Sequence, residues 1–169
     1  MIEYRDAAPA DGQALSHMAK RAFTDTFGSL YRAEDLAAFL DSSFGADGLP
    51  SHLCDPAYSV RLALEGEAIA GFAKIGPVDF PGEWGADTIE LHQLYILGQW
   101  QGEGVAPVLM DWALAAARAR GSRRMVLSVF VANIRAQRFY RRYGFVEIGA
   151  YEFRVGDHID DDRIWSLDL

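Results

Sequence analysis

The stretch LYILGQWQGEGVAPVLM, from Leu94 to Met110, decides the fold. An apolar run stops at Gly98, and a second run with helical spacing opens at Val105. Gly102 and Gly104 stand between them, one residue apart. A helix N-terminus presents unpaired N–H groups and the positive end of the helix dipole. Glycine lets an anion such as a phosphate approach that backbone closely. The pattern is not a Walker A loop, because no Lys-Ser/Thr pair follows, and it is not Gly-x-Gly-x-x-Gly. A tight turn from strand to helix explains the two glycines equally well, so the flanking sequence has to decide.

Upstream, TIELHQLYIL reads as a strand, and PVDFPGEWGAD before it reads as a Pro/Gly loop carrying Trp84. Earlier still, YSVRLALEGEAIAGFAKIG is a hairpin signal around Glu65-Gly66-Glu67. Residues 2–5 read as a short strand, after which Pro9 and Asp11 open an amphipathic helix with Leu15, Met18, Ala19, Ala22 and Phe23 inward. TFGSLY breaks that helix and AEDLAAFL restarts one, with Glu34 and Asp35 suited to its N-terminus. Gly45 to Pro56 reads as loop holding a helical turn.

Downstream, the spacing predicts a helix over 104–119 with Val105, Val108, Leu109, Trp112 and Ala116 on its apolar stripe and Gly121 as C-terminal cap. MVLSVFVA is a nearly continuous apolar run, the mark of a strand covered on both faces. Asn133 caps the next helix, which carries Ala136, Phe139, Tyr140 and Tyr143 on one side and ends at Gly144. FVEIGAYEFRV and DRIWSLDL are closing strands around the turn at Gly156. A strand, helices, three strands, then strand–helix–strand give a mixed sheet with helices on both faces, an α+β fold in one domain over residues 1–169.

Composition excludes several function classes. Half the 169 residues are hydrophobic and 12% are aromatic, as in an ordinary globular protein. Lys and Arg total 16 and Asp and Glu 24, giving −8. Nucleic acid and anionic membranes call for a basic stripe that this balance lacks, so neither is expected as a partner. The charge either keeps the protein soluble or attracts a cationic small molecule. No apolar stretch approaches the ~18 residues of a membrane span, and the start MIEYRDAAPAD has no signal core. A single Cys54 and the lack of Cys/His metal-ligand spacing predict no disulfide, no metal and a cytoplasmic setting.

The flanking residues decide the question of the glycines. The loop of Gln or Arg, x, x, Gly, x, Gly or Ala, after a strand ending Leu-Tyr-hydrophobic, resembles the acetyl-CoA loop of the GNAT N-acetyltransferase superfamily. Gln101, Gly104 and Ala106 take its fixed positions. VFVANIRAQRFYRRYGF is similar to the second half of that family's cofactor site, and together the two matches cover residues 88–146. The pieces AFTDTFGSLYRAEDLAAFL, ELHQLYIL and FRVGDHIDDDRIWSLDL resemble the PaiA-type polyamine acetyltransferase branch. The resemblance implies a GNAT fold with a mostly antiparallel sheet splayed at the acetyl-CoA site, and homodimers are common in that family.

It also implies roles. Leu94 would polarise the thioester carbonyl through its amide, and Tyr95 and Ile96 would offer backbone groups to pantetheine. Amides of Gln101, Gly102, Glu103, Gly104, Val105 and Ala106 would hold the pyrophosphate, although Glu103 stands where similar loops often carry Lys or Arg. Asn133 would touch the cofactor while capping its helix. Arg135, Arg138, Arg141 and Arg142 form a solvated face from which Arg135 can reach a phosphate. Tyr140 is either core or the acid that protonates the departing thiolate. An alkyl ammonium with pKa ~10.4 costs roughly 4–5 kcal/mol to deprotonate at pH 7. Glu90 sits where the family's base can occur, and also where a surface carboxylate would begin a strand. His92 shares its strand parity. Phe27, Tyr31, Trp84, Glu90 and His92 would meet a small cationic amine such as a polyamine. Other acceptors (a protein N-terminus, an amino acid, an antibiotic amine) and a catalytically silent CoA-sensing module remain open on the same residues.

Overall fold

The computed structural model describes all of residues 1–169. Strand β1 spans Ile2–Asp6. A 3-10 turn at Pro9–Asp11 leads into α1, Gly12–Phe27, and another at Gly28–Leu30 separates it from α2, Ala33–Phe44. The helical turn expected between Gly45 and Pro56 is a 3-10 helix at Leu49–Cys54. Then follow β2 (Ser59–Glu65), β3 (Ala68–Gly76), β4 (Thr88–Ile96), α3 (Val105–Ala119), β5 (Arg124–Phe130), α4 (Ile134–Arg142), β6 (Val146–Val155) and β7 (His158–Asp168).

The strands form one seven-stranded sheet in the order β1-β2-β3-β4-β5-β7-β6. Every pairing is antiparallel except β4 with β5. That exception positions the site. The β4–β5 ladder covers only Thr88–Glu90 against Arg124–Val126. Beyond Glu90 the two strands part, and β4 keeps only β3 as a neighbour. A bulge adds to the divergence: Ile75 pairs with Leu91 but Lys74 pairs with Gln93, so His92 is an extra residue on β4. Such bulges bend a strand and re-aim its side chains.

Strand alternation divides the core. Ala73, Ile75, Leu91, Leu127 and Trp165 face α3 and α4. Leu62, Phe72 and Val155 face α1 and α2, where they meet Leu15, Phe23 and Phe44. The apolar stripe of α3 differs from expectation. Val105 and Leu109 are buried, but Val108 is 44% exposed, and Met110, Ala113, Leu114 and Ala117 complete the inner face. Small alanines let the helix sit close on β2, β3 and β4. Large side chains weighted the sequence pattern toward Val108 and Trp112, which lie on the shoulder of the helix.

β7 also starts earlier than expected, at His158 instead of Asp162. Three consecutive acids are poor strand formers. The two-residue turn at Gly156-Asp157 nonetheless pairs Val155 with His158 and carries the register through Asp160, Asp161 and Asp162. Gly156 has φ +58°, and a Cβ there would lie 2.2 Å from Asp35 Oδ1. Asp35 fixes the turn by accepting the Asp157 N–H at 3.0 Å.

Candidate active site

The parting of β4 and β5 opens a cleft of about 760 Å³. Its walls come from α1, β4, the glycine turn, β5, α4 and β7.

At one end lies the glycine turn. Gly102 and Gly104 have φ +90° and +80°, and a Cβ on either would meet no atom within 4 Å. Gly104 is the N-cap of α3 and offers no side-chain cap. The amides of Gln101 and Glu103 bond to Gly98 O (3.2 Å) and Trp100 O (3.4 Å). Those of Gly102, Gly104, Val105 and Ala106 have no backbone partner outside the helix ladder, and α3 supplies none to its first turn. Four unpaired donors at the positive end of a helix, with open space before them, fit a pyrophosphate. Gln101 ties the turn down, donating from Nε2 to Ile96 O at 2.9 Å and accepting from Arg135 on α4. Arg135, Arg138 and Arg142 all border this end. Asn133 caps α4 as expected, accepting the Ala136 N–H at 3.1 Å, and lines the cleft. Glu103 and Val105 do not: the first points to solvent and the second into the core.

Leu94, Tyr95, Ile96 and Tyr140 line the middle. Tyr140 is packed edge-on against Phe145, ring centroids 5.7 Å apart. Burial holds its phenol above the ordinary tyrosine range, so the hydroxyl keeps its proton at neutral pH. Tyr95 is raised in the same way, by burial first and then by Tyr140 and Asp162.

The other end is aromatic and acidic. Phe27 and Phe130 meet edge-to-face at 6.4 Å. Tyr31 donates its hydroxyl to Asp160 Oδ2, and His158 Nε2 lies 3.1 Å from Oδ1. Asp162 is 6% exposed. Its Oδ1 has no hydrogen-bond partner, nor does the buried Oε1 of Gln93. Burial, then the neighbouring Asp160, pushes the Asp162 carboxyl up to about 7 against the pull of Ser128. The sequence reading singled out neither aspartate nor Gln93. The available signal was a run of three acids, Asp160 to Asp162, just before the closing strand, and it lies inside β7 only once the structure extends that strand back to His158.

Of the residues expected around the acceptor, Phe27, Tyr31 and His92 line the cleft; Trp84 and Glu90 do not. Trp84 is turned away because its indole N–H donates to Phe80 O at 3.1 Å and its ring packs on Phe80. Glu90 is 6% exposed, just behind the wall. Its Oε2 accepts the Asp79 N–H at 2.8 Å, and Oε1 lies 3.4 Å from His92 Nδ1. His92 Nε2 faces Pro77 O at 2.9 Å, so Nε2 carries the proton and Nδ1 turns its lone pair to Glu90. Burial depresses His92 to about 3 and lifts Glu90 to about 7. Lys74 lies nearby, 3% exposed and lowered to about 8 by burial, with Nζ 2.7 Å from His52 Nδ1 and over the Tyr58 ring at 4.5 Å.

Residues 14–145 match the model of the acetyltransferase (GNAT) family. An uncharacterized N-acetyltransferase of Mycobacterium tuberculosis is 31% identical over 94% of this chain and 98% of its own. Among solved structures, the fold is similar to that of PaiA N-acetyltransferase from Thermoplasma acidophilum in complex with coenzyme A, with TM-score 0.80, 17% identity and 100% and 99% of the two chains covered. It is also similar to a ribosomal-protein-alanine N-acetyltransferase from Brucella melitensis, with TM-score 0.72, 22% identity and 99% of each chain covered.

Proposed function

We propose that this chain, which belongs to the GNAT acetyltransferase family and is thus an acetyl-CoA-dependent N-acetyltransferase, acetylates a primary amine of a small cationic molecule, a polyamine above all. The observation that carries this reading is the polarity of the cleft: free amides and arginines at one end, buried carboxylates between aromatic rings at the other. Acetyl-CoA supplies the activated acyl group as a thioester.

The chain's own residues do the rest. The four free amides of the glycine turn, with Arg135, hold the pyrophosphate. Ile96 offers its N–H to the pantetheine arm along the edge that β4 presents where β5 leaves it, whereas the backbone groups of Tyr95 are turned to Phe72 on β3. The Leu94 N–H donates to the thioester carbonyl, where negative charge develops. Tyr140 gives its hydroxyl proton to the departing sulfur. Glu90 takes the ammonium proton through water at the His92 bulge, and a carboxyl near 7 is matched to that task at neutral pH. Phe27 and Tyr31 border the acceptor. The enzyme acts as one N-acetyltransferase domain in the cytoplasm, where exposed Cys54 stays reduced. No helix is long and apolar enough to cross a membrane.

CoA release measured with spermidine, spermine, an amino acid, an N-terminal alanine peptide and an aminoglycoside tests the reading. The polyamines are expected to give the highest kcat/KM. Turnover confined to the peptide or amino acid would move the acceptor to another class while keeping acetyl transfer. No turnover with any amine, despite tight acetyl-CoA binding, would favour a CoA-sensing module.

A further inference from the structure

We infer that Asp162 Oδ1 and Gln93 Oε1 form the ammonium-binding site of the acceptor cleft, with Asp160 as its electrostatic support. The inference rests on the proposed amine acceptor and names the atoms that would grip it.

Buried polar atoms in a folded protein are almost always paired, and each exception asks for an explanation. Here the unpaired buried side-chain atoms are Gln93 Oε1, Asp162 Oδ1 and the indole nitrogen of Trp165. The first two belong to residues lining one cleft, on strands β4 and β7. Both are acceptors, so what they lack is a donor. The same cleft is also lined by two apolar rings, Phe27 and Phe130, which meet edge-to-face. A guest that satisfies the carboxylate and the amide oxygen while lying against aromatic faces is an alkyl ammonium. Its N–H groups bond the oxygens, and its charge and methylenes suit the rings. A hard metal ion would ask for a larger shell of oxygens than these walls provide.

Asp160 and Glu90 are not equivalent to Asp162. Both oxygens of Asp160 are occupied, one by the Tyr31 hydroxyl and the other by His158. Asp160 therefore contributes charge and fixes Tyr31 rather than binding directly. Glu90 is engaged by the Asp79 amide and His92 behind the wall. Of the three, only Asp162 lines the cleft and keeps a carboxylate oxygen without a hydrogen-bond partner. Leaving it so costs stability, since an unpaired buried carboxylate beside another acid is unfavourable. The raised Asp162 pKa is the expected signature of that cost, and a cation would lower it again.

Calorimetry on the full chain saturated with CoA, titrated with spermidine and with n-butylammonium, tests the site. Asp162→Asn is expected to weaken spermidine at least tenfold and Gln93→Leu severalfold. CoA affinity should be unchanged and the Asp162→Asn Tm equal or higher, because a buried unpaired charge is removed. Should Asp162→Asn fail to fold, Gln93→Leu carries the test alone. Binding of n-butylammonium but not spermidine, lost in the variants, keeps the site and removes the polyamine reading. Amine affinity or turnover untouched by both variants overturns the site while leaving the acetyltransferase reading intact. An amine that binds neither as spermidine nor as n-butylammonium to the wild type also overturns it.

Discussion

The two ends of the cleft are built from different materials. The end we propose for the cofactor is made of backbone: two glycines at positive φ and the uncommitted amides of one helix turn. The end we propose for the acceptor is made of side chains from α1, β4 and β7, segments far apart in sequence. Backbone recognition tolerates almost any side chain but depends on a few fixed conformations. Side-chain recognition needs no special backbone and leaves no local pattern. One end is thus suited to a constant cosubstrate and the other to an acceptor that differs between relatives.

The largest effect is expected where conformation and charge act together. Gly104→Asp forces a side chain into a conformation at φ +80° and puts a carboxylate where the pyrophosphate would lie. Like-charge juxtaposition of this kind costs several kcal/mol, and each 1.4 kcal/mol is tenfold in affinity. Acetyl-CoA affinity should fall by roughly 10³-fold, measured by calorimetry on folded protein. Gly104→Ala keeps only the conformational strain and should lose far less. Equal losses in the two variants would mean that shape, not anion binding, governs this end.

The contrast between the ends also governs what could be read from the sequence. LYILGQWQGEGVAPVLM announced the glycine turn at one end of the cleft because glycine spacing, strand ending and helix start are local signals. The splay itself follows from strand order, with β5 reached through α3 and paired only over Thr88–Glu90. At the other end, the residues that the sequence brought to the cleft lie on or beside a patterned element, as with Phe27 and Tyr31, which line it. Trp84 was drawn into it by its loop position, yet an indole N–H bonded to Phe80 O settles it elsewhere. Asp160 and Asp162 escaped notice because a run of acids reads as a solvated turn. Only the pairing of β6 with β7 turns alternate members inward. His92 became an extra residue through a bulge that no periodicity reveals.

Tyr140→Phe addresses the middle of the cleft, where both ends meet. The ring and its edge contact with Phe145 remain, and only the hydroxyl is lost. We expect kcat to fall by roughly 10²-fold, with acetyl-CoA affinity little changed. Wild-type kcat with chemistry rate-limiting would return Tyr140 to a packing role.

Glu90→Gln should have a smaller effect, of roughly tenfold on kcat/KM at neutral pH, below the common span for a full acid–base residue because the base acts through water. Its carboxyl is raised from 4.5 to about 7 by burial, so the basic form accumulates only above about pH 7. Wild-type kcat/KM should therefore rise through pH 7, and the variant should lack that inflection. The deficit should shrink toward pH 10, where the amine loses its proton unaided. Stability moves the other way. The folded state holds the proton more tightly than the unfolded chain, so the stabilisation present below pH 4.5 is lost as pH rises through about 7. Glu90→Gln should thus melt higher than wild type at pH 8, although it is the slower enzyme. A variant that is both slower and less stable at pH 8 would make Glu90 a structural acid.

Salt should produce the smallest effect and separate the two ends by sign of charge. The chain carries −8 overall. A polycationic acceptor is attracted by the whole molecule and by the carboxylates at its end of the cleft. Added salt screens the long-range part, because the Debye length shrinks from ~10 Å at 0.1 M to ~3 Å at 1 M. The buried Asp162 is screened much less. Spermidine kcat/KM should fall severalfold over that range and then level off. For acetyl-CoA the global repulsion by −8 and the local attraction of Arg135, Arg138 and Arg142 oppose each other. Screening weakens both, so kcat/KM for acetyl-CoA should change by a smaller factor. Parallel losses for the two substrates would show that general protein–salt effects, rather than the charge asymmetry of the cleft, set the rates.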